Sequence, residues 1–296
     1  MPTLHIHTGL HKTGTTSLQK MFFDNTAVLA RRGYLYPRTG LSGRANNWGH
    51  HELAYALRGP GLGRQLWTTL RREADAAGLP DVVVSSEELS LLPFHSFPGV
   101  FPYKLIAEIF DGYDVRIICY LRPQAEMAAS LYNHNVKSAG ETGSIMSFLA
   151  RASRRLDYAY YTNVASNVFG KEGVVVRRYQ EQHMVLGDTI SDFAEQIGLD
   201  PSLLPSRRVS LNSGLTEAGL LAMLQANRLY ARQPEKLHAR RLEIIEFHGA
   251  DQFTSANLLG IEARQTITAL HVQGNLMVAR RYLGLNENLF GEPELE

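Results

Sequence analysis

The chain has 296 residues, a formal net charge of +1 and 44% hydrophobic residues. That supplies a sizeable core for one large α/β domain or two smaller ones, and the near-neutral balance excludes nucleic-acid or membrane capture by bulk charge. No apolar run approaches the ~20 residues that cross a bilayer, no basic start followed by an apolar block marks a secretory signal, and Cys119 is the only cysteine, so no intrachain disulfide forms and a cytoplasmic location is expected.

In chain order, an extended run over Thr3–His7 leads through a Gly/Thr/Ser-rich turn into a helical pattern over 15–30. Tyr34-Leu35-Tyr36 is extended and 37–50 is loop-like, with Pro, Gly, Ser and Asn. Helices are predicted over 51–57 and 63–77, and a strand over 82–86 begins after Asp81. A proline-rich loop covers 93–102, and helix 103–110 precedes the buried strand 115–121. Helix 124–138 is broken by Gly140-Glu141-Thr142-Gly143, and helices 144–153 and 158–168 precede strand 173–178 and helix 188–197. A Pro/Ser/Arg-rich connector over 199–214 leads to helices over 216–231, 235–246 and 261–283. Alternating strands and helices predict an α/β fold of three layers, with a central, mainly parallel sheet flanked by helices. The expected organisation is a single domain over 1–296, onto which a helical C-terminal portion, about 215–290, packs.

The strongest signal is Thr8-Gly9-Leu10-His11-Lys12-Thr13-Gly14-Thr15-Thr16-Ser17-Leu18-Gln19, a turn between strand and helix with a single lysine. Glycines let a backbone approach an anion, and the first N–H groups of a helix point outward at the positive end of its dipole. Such a turn binds phosphate or sulfate. It is not a Walker A loop, because Lys12 precedes Gly14 and no Gly-Lys-Ser/Thr occurs. A second signal is Arg122-Pro123 at the carboxyl end of strand 115–121, the side on which open α/β sheets bind ligands. Pro123 suits a first helical position, and Ser130 follows Arg122 by eight positions, about two helical turns.

The order Lys12-Thr13-Gly14-Thr15-Thr16-Ser17-Leu18 resembles the 5′-phosphosulfate loop of sulfotransferases that use 3′-phosphoadenosine-5′-phosphosulfate (PAPS). Arg122 with Ser130 is similar to their 3′-phosphate-binding segment, in which Arg grips a phosphate through parallel N–H bonds. Gly173–Tyr179 with the following Asp188–Leu199, and Arg280–Gly284 with Leu289-Phe290, resemble late segments of bacterial sulfotransferases, so the likeness runs from about Thr3 to Phe290, loosely in the middle. The Arg-Lys-Gly tail of the cytosolic eukaryotic type is missing. The resemblance implies a P-loop-like fold and sulfuryl transfer from PAPS to a hydroxyl or amine of a carbohydrate, lipid or small metabolite, with no metal. It implies donor contacts from Gly9, His11, Lys12, Thr13, Gly14, Thr15, Thr16, Ser17, Arg122 and Ser130, with Lys12 also serving catalysis. The alternatives are a small-molecule kinase or phosphotransferase and a nucleotide-binding module without catalysis.

A general base must reach the acceptor. Two segments compete for that role. Glu87-Glu88 follow strand 82–86 at the ligand edge, with Glu87 favoured for its rigid mount. His50-His51 lie in a part of the chain that, in several carbohydrate sulfotransferases, carries the base, and imidazole titrates near neutrality. Tyr179 is a weaker nucleotide or acceptor contact. His5, His7 and His11 bind metal only if they converge with a carboxylate; packing is the expected role. Of the seven Arg-Arg pairs, which start at 31, 71, 154, 177, 207, 240 and 280, only Arg177-Arg178 ends a strand on the ligand side. The others read as solvated helix faces.

Overall fold

The structure, a computed structural model, describes residues 1–43, 47–59, 61–94, 101–204, 214–248 and 258–291. The strands are β1 (Thr3–His7), β2 (Tyr34–Leu35), β3 (Asp81–Ser85), β4 (Asp114–Leu121) and β5 (Val174–Arg178). The helices are α1 (Thr15–Asp24), α2 (Thr26–Arg31), α3 (His51–Ala56), α4 (Leu62–Ala77), α5 (Pro102–Ile109), α6 (Gln124–His134), α7 (Ile145–Ala152), α8 (Tyr158–Phe169), α9 (Thr189–Gln196), α10 (Glu217–Leu229), α11 (Pro234–His248) and α12 (Ile261–Val278). The strands form one five-stranded sheet in the order β2-β3-β1-β4-β5, and every pairing is parallel.

The chain divides into two compact units. The first gathers the described residues of Met1–Arg122, Tyr158–Val209 and Gly274–Gly291, and the second those of Pro123–Asp157 and Ser210–Gln273. The stretch read as one helical C-terminal portion therefore contributes to both.

Register explains the layering of the first unit. His7 pairs with Ser85 and Ile118, so His5, His7, Val83, Ile118 and Tyr120 share one sheet face. That face packs against Leu18 and Phe22 of α1, Leu29 of α2, and Phe193 and Ala194 of α9. The opposite face carries Leu4, Ile6, Val82, Val84, Ile117, Cys119 and Leu121, all buried. There Tyr103 of α5 packs on Phe169 of α8, and α8 lies on β4 and β5. Burial drives the Cys119 thiol up to about 12, which fits an inert packing role. Among the described residues no helix is long and apolar enough to cross a membrane.

Two helices differ from the sequence pattern. The helix over 15–30 breaks at Asn25, whose side-chain amide donates to the Met21 carbonyl at 2.8 Å and ends α1. Pro123 is the N-cap of α6, with φ −47° and ψ 130°, rather than its first helical residue. In the second unit, Leu131, Tyr132, Phe148, Met223, Leu224 and Ile244 form a separate core. Asn227 tethers it by donating to the carbonyls of Val136 and Glu141 at 2.8 and 2.9 Å.

Candidate active site

The loop after β1 is held by its own backbone. The Thr8 N–H donates to the Ile118 carbonyl at 3.0 Å, and the Thr13 hydroxyl donates to the Leu10 carbonyl at 2.6 Å. Lys12 has φ 71° and Gly14 has φ 76°. The left-handed region is natural for glycine, but it costs a lysine about 1–2 kcal/mol. Such an outlier directs attention to the loop as a functional element. Gly14, in the left-handed conformation, is the N-cap of α1 and brings no side chain of its own to that helix start. Space is equally restrictive: a Cβ on Gly9 would lie 2.6 Å from His7 Nε2 and 2.9 Å from Thr15 Cγ2.

Arg122 follows β4 directly. Its Nη1 donates to the Lys12 carbonyl at 3.4 Å, and its guanidinium stands 5.8 Å from the centre of the Tyr179 ring. The Tyr158 hydroxyl donates to the Arg122 carbonyl at 2.6 Å, and the Tyr179 N–H extends the ladder to Leu121 at 2.7 Å. The carboxyl edge of the sheet thus brings Lys12, Arg122 and Tyr179 together. Ser130 lies on α6 in the second unit, where it is buried.

A second cluster forms where β3 ends. Glu87 and Glu88 open a 3₁₀ turn, Glu87–Phe94. Glu87 accepts from the Gln19 amide at 2.9 Å and lies 3.8 Å from His51 Nδ1. His51 Nδ1 and the Ser86 hydroxyl are hydrogen-bonded at 2.9 Å. Glu88 pairs with Arg58 and lies 3.4 Å from Nε2 of His11. Burial pushes the Glu88 carboxyl up, but contacts with His11 and Arg58 outweigh it and hold the group at about 2. His11, next to Lys12, thereby joins the loop to the β3 cluster.

His50, a candidate base in the sequence, is fully buried. Its Nδ1 accepts from the Ser85 N–H at 3.1 Å and its Nε2 donates to the Pro37 carbonyl at 2.9 Å. Burial depresses it to about 4. With both ring nitrogens taken, His50 is a strap that ties the 37–50 loop to β3 and has no nitrogen for an acceptor's proton. The sequence reading also missed Gln19 and Arg58. Gln19 had a signal, as a polar residue between the apolar Leu18 and Phe22 of one helix; Arg58 had none.

The other histidines take separate partners. His5 Nε2 bonds Asp81 at 2.8 Å, and His7 Nδ1 bonds the Ser85 hydroxyl at 2.8 Å. Burial lowers both, His7 to about 4. Among the described residues no group of three His, Cys, Asp or Glu is placed to hold a metal ion. Arg177, read as ligand-facing, instead grips the buried Asp192 of α9 through Nε at 2.9 Å and Nη2 at 2.5 Å, while Tyr120 donates to the same carboxylate at 2.7 Å. Arg71 and Arg240 pair with Asp75 and Glu243 on their own helices. The pair at 207 lies outside the described residues.

No family model matches the chain, and no curated protein matches it. Among solved structures, a sulfotransferase from Alicyclobacillus acidocaldarius is similar over 83% of this chain and 96% of that one, with 20% identity and a TM-score of 0.43.

Proposed function

We propose that the chain transfers a sulfuryl group from PAPS to a hydroxyl or amine of a carbohydrate, lipid or small-metabolite acceptor. One observation carries this: a strained, left-handed Lys12 stands between a strand end and the start of α1, whose N-cap is the left-handed Gly14, with Arg122 from the neighbouring strand on its carbonyl. Gly9 is required by the loop's own packing, because a Cβ there would collide with the His7 ring and the Thr15 methyl. In this reading the loop from Gly9 to Ser17 holds the 5′-phosphosulfate, and Arg122 takes the 3′-phosphate, with Tyr179 beside it. Thr13 takes part through its N–H, since its hydroxyl closes the loop.

Sulfuryl transfer places negative charge on the departing phosphate. Lys12 and the first amides of α1 are fixed where that charge develops, so they stabilise it without reorganisation. The β3 cluster, joined to the loop through His11, faces the acceptor and supplies its base.

The test is calorimetry with 3′-phosphoadenosine-5′-phosphate, adenosine 5′-phosphate and ATP–Mg²⁺, followed by a sulfate-transfer screen with PAPS over hydroxyl and amine acceptors. The bisphosphate should bind tightest and raise the melting midpoint, by about 2.7 kcal/mol of stabilisation at a hundredfold excess over Kd. Preference for ATP–Mg²⁺ would turn the assignment to a phosphotransferase; binding without transfer would leave a nucleotide module.

A further inference from the structure

We infer that His51 is the general base of the β3 cluster and that Glu87 is its positioning residue; this rests on the sulfotransferase reading. Its Nδ1 faces the Ser86 hydroxyl at 2.9 Å and the Glu87 carboxylate at 3.8 Å. A carboxylate on that side favours the tautomer with its proton on Nδ1, because the N–H dipole then points at the negative charge. The lone pair is left on Nε2. That nitrogen makes no hydrogen bond among the described residues and is not one of the buried polar atoms.

Glu87 suits the supporting role better than the leading one. Its Oε2 already accepts from Gln19 Nε2 at 2.9 Å, and the same oxygen faces His51. Gln19 is buried on α1 and packs under Gly49, so the carboxylate is fixed from the phosphate-loop helix. Glu88 is excluded by its pairing with Arg58 and His11, and His50 by its two backbone bonds. The other groups around His51 are Glu52 and Tyr55 on its own helix, neighbouring His50, and the Arg58–Glu88 pair beyond the Tyr55 ring.

In the reaction the acceptor oxygen bonds to sulfur as the bond between sulfur and the bridging oxygen of the 5′-phosphate breaks. Its electron pair stays on the phosphate. The acceptor's proton moves to His51 Nε2, and the resulting imidazolium is stabilised by Glu87 across Nδ1–H.

Two measurements test this. In ¹⁵N-histidine-labelled protein at mildly alkaline pH, the His51 signals, assigned by their loss in His51→Gln, should show a protonated Nδ1 and a bare Nε2. A bare Nδ1 would overturn the assignment before any acceptor is known. With PAPS and the acceptor taken from the screen, His51→Ala should lower kcat by about 10²–10⁴-fold. Its affinity for 3′-phosphoadenosine-5′-phosphate should stay unchanged, the acidic limb of the pH–rate profile should vanish, and added imidazole should restore part of the rate. Glu87→Gln should lose less and move that limb to lower pH, since the imidazolium loses its counter-charge; a residue that merely packs would not move it. Full activity in His51→Ala, or loss of the limb in Glu87→Gln alone, would reassign the base to Glu87 or elsewhere. Wild-type protein that neither binds the bisphosphate nor transfers sulfate would instead remove the parent function.

Discussion

At the scale of single residues, Lys12 carries two opposed demands. Its backbone occupies a region that suits glycine, and the position nonetheless holds a lysine. In the proposed reaction, the charge that Lys12 supplies to the departing phosphate is what sets the lysine against the glycine-like backbone. Lys12→Ala should lower sulfuryl-transfer turnover by about 10²–10³-fold, the usual cost of one preorganised charge contact. Lys12→Gly should lose as much activity yet unfold about 1 kcal/mol later than Lys12→Ala, because only glycine relieves the left-handed backbone. Urea titration of the two variants separates charge from strain; equal stabilities would show that the loop relaxes without glycine. Arg122 separates donor from analogue in the same way. Arg122→Ala should cost 3′-phosphoadenosine-5′-phosphate about ten- to a hundredfold in affinity, from a charge-assisted contact of about 1.5–3 kcal/mol. Adenosine 5′-phosphate, which lacks the 3′-phosphate, should be nearly unaffected, and equal losses in calorimetry would make Arg122 structural.

At the scale of elements, most of the sheet was legible because its strands are buried runs of β-branched and apolar residues. Strands β1, β3, β4 and β5 lie within about one residue of the sequence reading. What escaped depends on partners distant in the chain. Nothing local distinguishes a titrating His50 from one strapped to Pro37 and Ser85, thirteen and thirty-five residues away. The same holds for Arg177, whose charge is taken by Asp192 on the next helix. The break at Asn25 was hidden because the apolar periodicity continues through it. The loop's tolerance is likewise set by what lies beneath it. His7, under Gly9, is wedged between Tyr120 and Phe193, with ring centroids at 5.7 and 5.0 Å. It has no room to yield, so Gly9→Ala should cost about 1–3 kcal/mol by overpacking and weaken bisphosphate binding. Gly59→Ala, with no atom within 4 Å of the added methyl, should leave both unchanged. If Gly9→Ala binds and unfolds like wild type, the His7 wedge does not shape the loop.

At the scale of the whole molecule, the buried imidazoles give the fold a direction in pH. His7 and His50 are fully buried, and burial holds each at about 4 against the usual 6.5. Their folded values are depressed, so between those limits the unfolded chain binds protons that the native state refuses. Stability then rises with pH: the contribution is complete above 6.5 and is lost as pH falls towards 4. Each imidazole should remove about 2 kcal/mol at pH 5, a large part of a typical stability of about 5–15 kcal/mol. Glu88 adds a lower window, since its carboxyl is held at about 2 against the usual 4.5, and its contribution is lost only as pH falls through that range. Urea unfolding of the wild type at pH 7.5 and pH 5 should therefore show a marked drop well before the carboxylates titrate. In His50→Gln that drop should shrink by one imidazole's share. The variant should also be less stable at pH 7.5, because glutamine cannot reproduce both backbone bonds of the strap. A wild-type stability that stays flat between pH 6.5 and 5, or a drop in His50→Gln as large as the wild type's, would mean that these rings are protonated in the native protein and that the strap does not keep His50 neutral.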